Sequence, residues 1–276
     1  MLAGSNLWRP YFHLGGTTMS QQLPESKHTY LIMGVANERS IGWAVAQKFS
    51  SLGASVILTS GSERSQRKTA KLAASLASKH VEVRCDVIDP QNIGVLFNRL
   101  AKECGSLTGV VHCIGRGSSL DLQRPVHRAS MEGYNATNVV SVYSLIATAS
   151  YALPLMTDGG SIVTISYIGS ERVVPSYGIM GIAKAGLEAC VRHLAYELGR
   201  HRIRVNAVSS GPISTLSAQS LPNFYKTLDA SVERSPLERS VTSDEVAQAV
   251  YFLASDQSSG ITGEVLHVDA GFHIMA

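Results

Sequence analysis

At 276 residues, 45% apolar and 16% charged, the chain is long enough for one large globular core and too apolar to be disordered. A net charge of only +3, with basic residues scattered and two short clusters at 64–68 and 200–204 that read as solvated faces, excludes a nucleic-acid-binding stripe. The four cysteines have neither CxxC spacing nor a grouping with histidine, so no metal site is expected and the thiols read as reduced and intracellular.

The first 28 residues are rich in Gly, Ser, Thr and Gln and lack a basic start followed by an apolar run. They read as a loose extension with no secretory signal, and a domain is expected over 29–276. From there, short β-branched apolar runs alternate with helical patterns. Strands are expected over 30–35, 54–60, 80–87, 107–115, 161–166, 202–209 and 263–269. Helices are expected over 40–52, 65–78, 90–104, 131–155 and 243–255, and from Pro175, which suits a first helical turn, to about Leu198. A polar loop fills the space between the sixth strand and the last helix. This order implies an α/β fold: one doubly wound, Rossmann-type parallel sheet of about seven strands, helices on both faces.

The uncharged stretch 133–157 is long enough to cross a bilayer. It also carries Asn135, Asn138, Ser141, Ser144, Thr148, Ser150 and Pro154, too polar a set for insertion. A long helix in the core or at a subunit interface accounts for it better.

In open parallel sheets a ligand sits beyond the carboxyl ends of the strands. There the first turn offers Gly34 for a tight exit and Ser40 and Ile41 at a helix N-terminus, which favours a phosphate, although the spacing is not GxGxxG. Asp86 at the third strand end can accept from an adenine amine, with Val87 packing on the ring. Ile114 and Gly115 bring backbone to the fourth strand end, and Ile213 follows the sixth. Together these point to a nicotinamide dinucleotide. After the second strand, Ser62, Arg64 and Ser65 suit a ribose phosphate while Glu63 opposes one, a slight lean to NADPH over NADH.

Tyr177 and Lys184 stand seven residues apart, close to two helical turns, and so share a face about 10 Å apart along the axis. Lys184 can donate to sugar hydroxyls while Tyr177 donates to an oxygen that gains charge.

These segments carry a resemblance. GVANERSIGWAVA, HCIG, SYIGSERVVPSYGIMGIAKAGLEA, VNAVSSGPISTL and GEVLHVDAGF resemble the NAD(P)H-dependent enoyl-acyl-carrier-protein reductases of type II fatty-acid synthesis, a divergent branch of the short-chain dehydrogenase/reductases. Ordinary members of that superfamily place tyrosine four residues before the lysine, here Met180, whereas Tyr177 has the Y-x6-K spacing of enoyl reductases. The resemblance implies that Tyr177 donates to the thioester oxygen, that Lys184 holds the nicotinamide ribose, and that Tyr167 lines the acyl site. It implies cofactor contacts at Gly34, Ser40, Ile41, Asp86, Val87, Ile114, Gly115 and Ile213, and an acyl pocket at Met180, Phe224 and Gly117. It further implies a mobile substrate loop over about 214–232, an enoyl thioester on acyl carrier protein as substrate, a cytoplasmic homotetramer, and neither nucleic acid nor membrane insertion. Arg116 departs from the family, where an apolar residue is common, and Asn138 falls where ordinary reductases keep a relay asparagine. The rival readings are a carbonyl (3-oxoacyl) reductase of the same fold and a non-catalytic dinucleotide-binding regulator; a hydrolase is excluded by the lack of G-x-S-x-G and HExxH motifs.

Overall fold

A computed structural model describes residues 28–275, so the extension expected before residue 28 lies outside the described residues. Seven parallel strands form one sheet in the order β3-β2-β1-β4-β5-β6-β7. The chain lays down β1 (Thr29–Met33), α1 (Ile41–Ser51), β2 (Ser55–Ser60), α2 (Glu63–Ala73), β3 (His80–Arg84) and α3 (Pro90–Glu103). It then returns past β1 to lay down β4 (Gly109–His112), α4 (Met131–Asn138), α5 (Ser144–Ala152), β5 (Gly160–Ser166) and α6 (Gly178–Gly199). β6 (Ile203–Ser210), α7 (Leu216–Gln219), α8 (Phe224–Arg234), α9 (Ser243–Ala254) and β7 (Val265–Val268) complete it.

Strand side chains alternate between two apolar layers. Leu31 and Met33 of β1, Val110 of β4 and Ile162 of β5 face α3, α5 and α6, where Leu96, Leu145 and Leu187 meet them. Tyr30, Ile32, Val111 and Val163 face α1 and α9, against Phe49, Val246 and Val250. Both faces are therefore dry, as a parallel sheet requires. The order reverses between β1 and β4, which leaves a crevice at their carboxyl ends.

Four elements differ from the sequence pattern. α2 stops at Ala73 rather than residue 78, because the Ser75 hydroxyl takes the Leu72 carbonyl at 2.7 Å and Ser78 N turns to Ser50 Oγ at 2.8 Å. β3 ends at Arg84, short of Asp86 and Val87. The polar loop after β6 holds α7, capped by Thr215, and α8, entered through Asn223 in the left-handed region at φ 57°. Pro175 lies in a turn before α6, not in its first helical turn; Ser176 is left-handed at φ 66° and Tyr177 is the N-cap.

The long helix is also not regular. Between α4 and α5 the chain runs as a π turn, Val139–Tyr143. Ser144 Oγ donates to Val140 O at 2.6 Å and stands 2.8 Å from Nε2 of His112 on β4. Having given its hydrogen to the carbonyl, this hydroxyl accepts from Nε2–H; Nδ1 stands 3.0 Å from Thr164 Oγ1, whose own hydrogen goes to the His112 carbonyl at 3.1 Å. A buried imidazole thus pins the helix to the sheet where the helix widens. Burial, then the nearby Lys184 charge, lower the His112 pKa to about 3, so the ring stays neutral.

A sharp backbone constraint at the cavity is Gly34, where the chain leaves β1 at φ 86° and an added Cβ would collide with the Cys113 carbonyl. Gly34→Ala forces a left-handed alanine, worth about 1–2 kcal/mol, in addition to that clash. Its thermal unfolding midpoint is expected to fall by about 4 °C or more. A midpoint within about 1 °C of the parent would show that this turn relaxes freely.

Candidate active site

A cavity of about 580 Å³ opens beyond the carboxyl ends of β1, β4, β5 and β6, within the range of small-molecule and cofactor sites. The β1 turn contributes Gly34, Ser40 and Ile41, and the segment after β4 contributes Ile114, Gly115 and Gly117. Ile213 comes from the end of β6 and Phe224 from α8. Of the candidate residues of the sequence analysis, Ser62, Asp86, Val87 and Asn138 do not border the cavity; the catalytic, acyl-pocket and remaining cofactor candidates do. Val87 is instead buried in the layer with Ile93 and Leu96. Asp86 Oδ1 accepts from Ile88 N at 3.2 Å, and its carbonyl accepts from Asn92 Nδ2 at 3.1 Å, which shapes the entry to α3.

The catalytic candidates meet where α6 packs on the exit of β5. Lys184 is buried to 6% exposure, and its Nζ donates to Ile165 O at 2.6 Å. Burial lowers its pKa to about 8, against the raising influence of Glu188 and Cys113. Gly115 passes so near that an added Cβ would stand 3.4 Å from Nζ, which keeps the space above the ammonium open. The Tyr167 and Tyr177 rings meet edge to face at 4.8 Å between centroids. Burial, then the Tyr167 neighbour, hold the Tyr177 phenol well above its ordinary pKa, while burial and Asp269 push Tyr167 up to about 12. Both are therefore neutral hydrogen-bond donors across the physiological range.

The opposite end of the cavity is cationic. Arg64, Ser65 and Lys68 of α2 border it. Glu63, the acid that would oppose a phosphate, is drawn off in an ion pair with Arg67 at 3.0 Å on exposed surface. Between the two ends, Ser40 caps α1: its hydroxyl donates to Asn37 O at 2.6 Å and accepts from Trp43 N at 3.3 Å. The amide-rich start of α1 is thereby presented to the cavity, a setting that favours a phosphate. A pyrophosphate flanked by a ribose phosphate over Arg64 and Lys68 and a ribose over Lys184 fits this donor set, so the residues suit a nicotinamide dinucleotide.

Sequence reasoning missed Lys68 and Ser141. Lys68 carries a readable signal, since it lies one helical turn from Arg64. Ser141 carries none: it reaches the site only because the π turn presents it to Arg116, whose N donates to Ser141 Oγ at 3.1 Å and whose carbonyl accepts from it at 3.2 Å. Arg116 itself is exposed at the cavity rim. Asn138 is spent on Tyr134 O at 2.9 Å and does not border the cavity.

Comparison with known proteins gives one consistent answer. The family model described as enoyl-(acyl carrier protein) reductase matches residues 34–273. The NADH-dependent enoyl-[acyl-carrier-protein] reductase FabI of Bacillus cereus is 43% identical over 248 residues, covering 90% of this chain and 97% of that protein. The NADPH-dependent FabI of Staphylococcus aureus strain MRSA252 is 43% identical over 246 residues, covering 89% and 96%. Among solved structures, the Bacillus cereus reductase with NADP+ and indole naphthyridinone has a TM-score of 0.88 at 42% identity, covering 93% of this chain and all 100% of the other. The reductase of Anaplasma phagocytophilum in complex with NAD gives 0.87 at 40% identity, covering 94% and 98%.

The Lys184 ammonium, lost above a pKa of about 8, sets an expected pH dependence for dinucleotide binding. The charged donor prevails below that value, and a neutral amine gives a hydrogen bond weaker by about 1 kcal/mol. Affinity for reduced nicotinamide dinucleotide, followed by fluorescence, should fall about fivefold as pH rises from 7 to 9. Lys184→Met should bind weakly throughout and lose that dependence; a flat profile in the parent would remove Lys184 from the contact.

Proposed function

The chain belongs to the enoyl-(acyl carrier protein) reductase family, and we infer that it reduces the trans-2 double bond of enoyl thioesters borne by acyl carrier protein, with NADH or NADPH, in fatty-acid synthesis. The observation that carries the reading is the set of Tyr167, Tyr177 and Lys184 on one wall of the cavity, with the ordinary reductase position filled by buried Met180.

When bound, reduced nicotinamide supplies a hydride to the β-carbon, and the electron pair of the double bond moves toward the thioester oxygen. Tyr177 meets that oxygen as a neutral donor, and the enolate charge strengthens the hydrogen bond as it develops. Lys184 holds the nicotinamide ribose through its remaining hydrogens while Ile165 O fixes the direction of its Nζ. Tyr167 closes the acyl side by packing against the Tyr177 ring. The α-carbon takes its proton from solvent. Met180, Phe224 and Gly117 line the acyl pocket, and α7 with α8 forms the part of the wall that moves over the bound chain. We keep Asp86 and Val87 as adenine contacts for the bound cofactor at the rim of β3.

The reading includes a cytoplasmic homotetramer. Its support is the run of half-exposed apolar side chains, Tyr143 and Ile146 of the π turn and α5 and Ile182 of α6, together with four free cysteines. Met131–Leu155 is long and apolar enough to cross a membrane, but half of it is buried against the rest of the domain, which favours packing over insertion. Arg64 and Lys68 beside the cavity, with Glu63 turned to Arg67, favour NADPH. The carbonyl-reductase reading loses support with Asn138, which is bonded to Tyr134 O and does not border the cavity.

Loss of the Tyr177 donor should remove about 3–4 kcal/mol of oxyanion stabilisation. Tyr177→Phe is therefore expected to turn over crotonyl thioester at least about 10²-fold more slowly while dinucleotide affinity is retained. Run in parallel, oxidation of reduced nicotinamide by acetoacetyl thioester but not crotonyl thioester would establish the carbonyl reductase, and silence with both would leave the regulator. The double variant Arg64→Ala/Lys68→Ala is expected to raise KM for NADPH at least about tenfold and to leave KM for NADH within about twofold. Equal effects on the two cofactors would place neither side chain at a 2′-phosphate.

A further inference from the structure

Glu188 lies on α6 one turn beyond Lys184 and is 6% exposed. Its Oε1 accepts from Ser170 Oγ at 2.6 Å and from Ser166 Oγ. These two serines bracket Tyr167 in the chain, one at the last position of β5 and one in the turn that follows. Together with the Lys184 bond to Ile165 O, α6 grips three points of the β5 exit, and Tyr167 is held between them. A buried carboxylate is strongly unfavourable unless paired, and two neutral hydroxyls are a poor match for a full charge. A glutamine would accept the same two hydrogen bonds without that penalty. The charge therefore calls for a second reason.

Lys184 provides it. His112 of β4 and Cys113 just after it act on the ammonium, and Tyr177 at the start of α6 and Tyr167 after β5 line the same cavity. His112 is neutral above about pH 3, and loss of hydration holds the Cys113 thiol up to about 12. Tyr167 stays protonated up to about 12 and Tyr177 beyond its ordinary range. Asp269, near Tyr167, is engaged by His273 and the Gly271 amide. Arg116 on the rim is cationic and opposes a second positive charge. Among these groups Glu188 is the anion placed to offset the buried ammonium, and it heads the influences that raise the Lys184 pKa.

We propose that Glu188 is a positioning residue of the reductase: its carboxylate fastens the turn bearing Tyr167 to α6 and supplies the negative charge that keeps buried Lys184 an ammonium. The proposal rests on the reductase reading for its kinetic readout. Lys184 titration is also legible in dinucleotide binding, which needs no turnover.

Three variants separate the two parts. Glu188→Gln keeps volume and hydrogen-bond acceptor but not charge. Its alkaline limbs, both in kcat/KM for crotonyl thioester and in dinucleotide affinity, are expected to move about one pH unit toward acid. Ser166→Ala/Ser170→Ala keeps the charge and frees the turn; kcat is expected to fall about tenfold with the limbs unmoved. Glu188→Asp keeps the charge and shortens the reach, so it should resemble the serine variant and stand in for it if Glu188→Gln fails to fold. Superimposable limbs in parent and Glu188→Gln overturn the electrostatic part, as do acid-shifted limbs in Glu188→Asp. Parental kcat in both the serine variant and Glu188→Asp overturns the positioning part. Shifted binding limbs without any enoyl reduction would sustain the role of Glu188 and reject the reaction instead.

Discussion

An ammonium buried at 6% exposure is the constraint around which this domain closes. Lys184 cannot keep its hydration shell, so it needs an acceptor at fixed distance, and Ile165 O at 2.6 Å is that acceptor. β4 pairs with β5 only as far as Thr164, and the next helix lies directly on the exit of β5, which brings Lys184 to the Ile165 carbonyl. Two glycines permit this approach. An added Cβ on Gly181 would stand 2.7 Å from the Gly169 carbonyl, and one on Gly169 would stand 2.5 Å from the Tyr177 ring. Side chains at these positions would lift α6 from the turn and with it the lysine from its acceptor. Close packing, the buried charge and the edge-to-face tyrosine pair are thus one arrangement.

On its other side the same lysine depends on neutrality. His112 lies in β4 and would be a second buried cation if it were protonated; burial, then the Lys184 charge, hold the ring neutral between the Ser144 and Thr164 hydroxyls. The Ser144 hydroxyl that serves the ring also takes the Val140 carbonyl out of the regular helical ladder. The helix widens there, and the widening turns Ser141 toward the Arg116 backbone at the cavity. A polar contact in the sheet is in this way coupled to the shape of the substrate wall.

The central strands were readable because both sheet faces are dry there, so they are continuous apolar runs such as YLIM or VIL flanked by polar turns. The pairing of Tyr177 with Lys184 was readable because a spacing in sequence becomes a distance on a helix. What escaped were features decided by side chains far apart in the chain. The π turn depends on His112, 32 positions from Ser144, and nothing in the uncharged run 133–157 announces it. α8 was hidden by its polar composition, although Phe224 and Ser231, both buried, repeat at a helical interval. Asp86 and Val87 fall outside the cavity lining: β3 ends at Arg84, the bonds of Asp86 shape the entry to α3, and Val87 packs in the apolar layer.

The tyrosine position itself has a physical meaning. At residue 180 a phenol would stand one helical turn from the ammonium, and a positive charge at about 6 Å stabilises phenolate by roughly 3 kcal/mol at an effective dielectric of about 20. That suits a group that must surrender its proton to an alkoxide. Tyr177 stands about two turns away, outside the regular helix, at the end of a turn whose geometry Ser176 sets at φ 66°. There burial, then the Tyr167 neighbour, hold the phenol above its ordinary pKa. Such a group keeps its proton while sharing it, which is what an enolate oxygen needs when the proton must finally go to carbon. On the proposed reaction, the three-residue displacement from Met180 to Tyr177 exchanges an acid for a hydrogen-bond donor without changing the residue type.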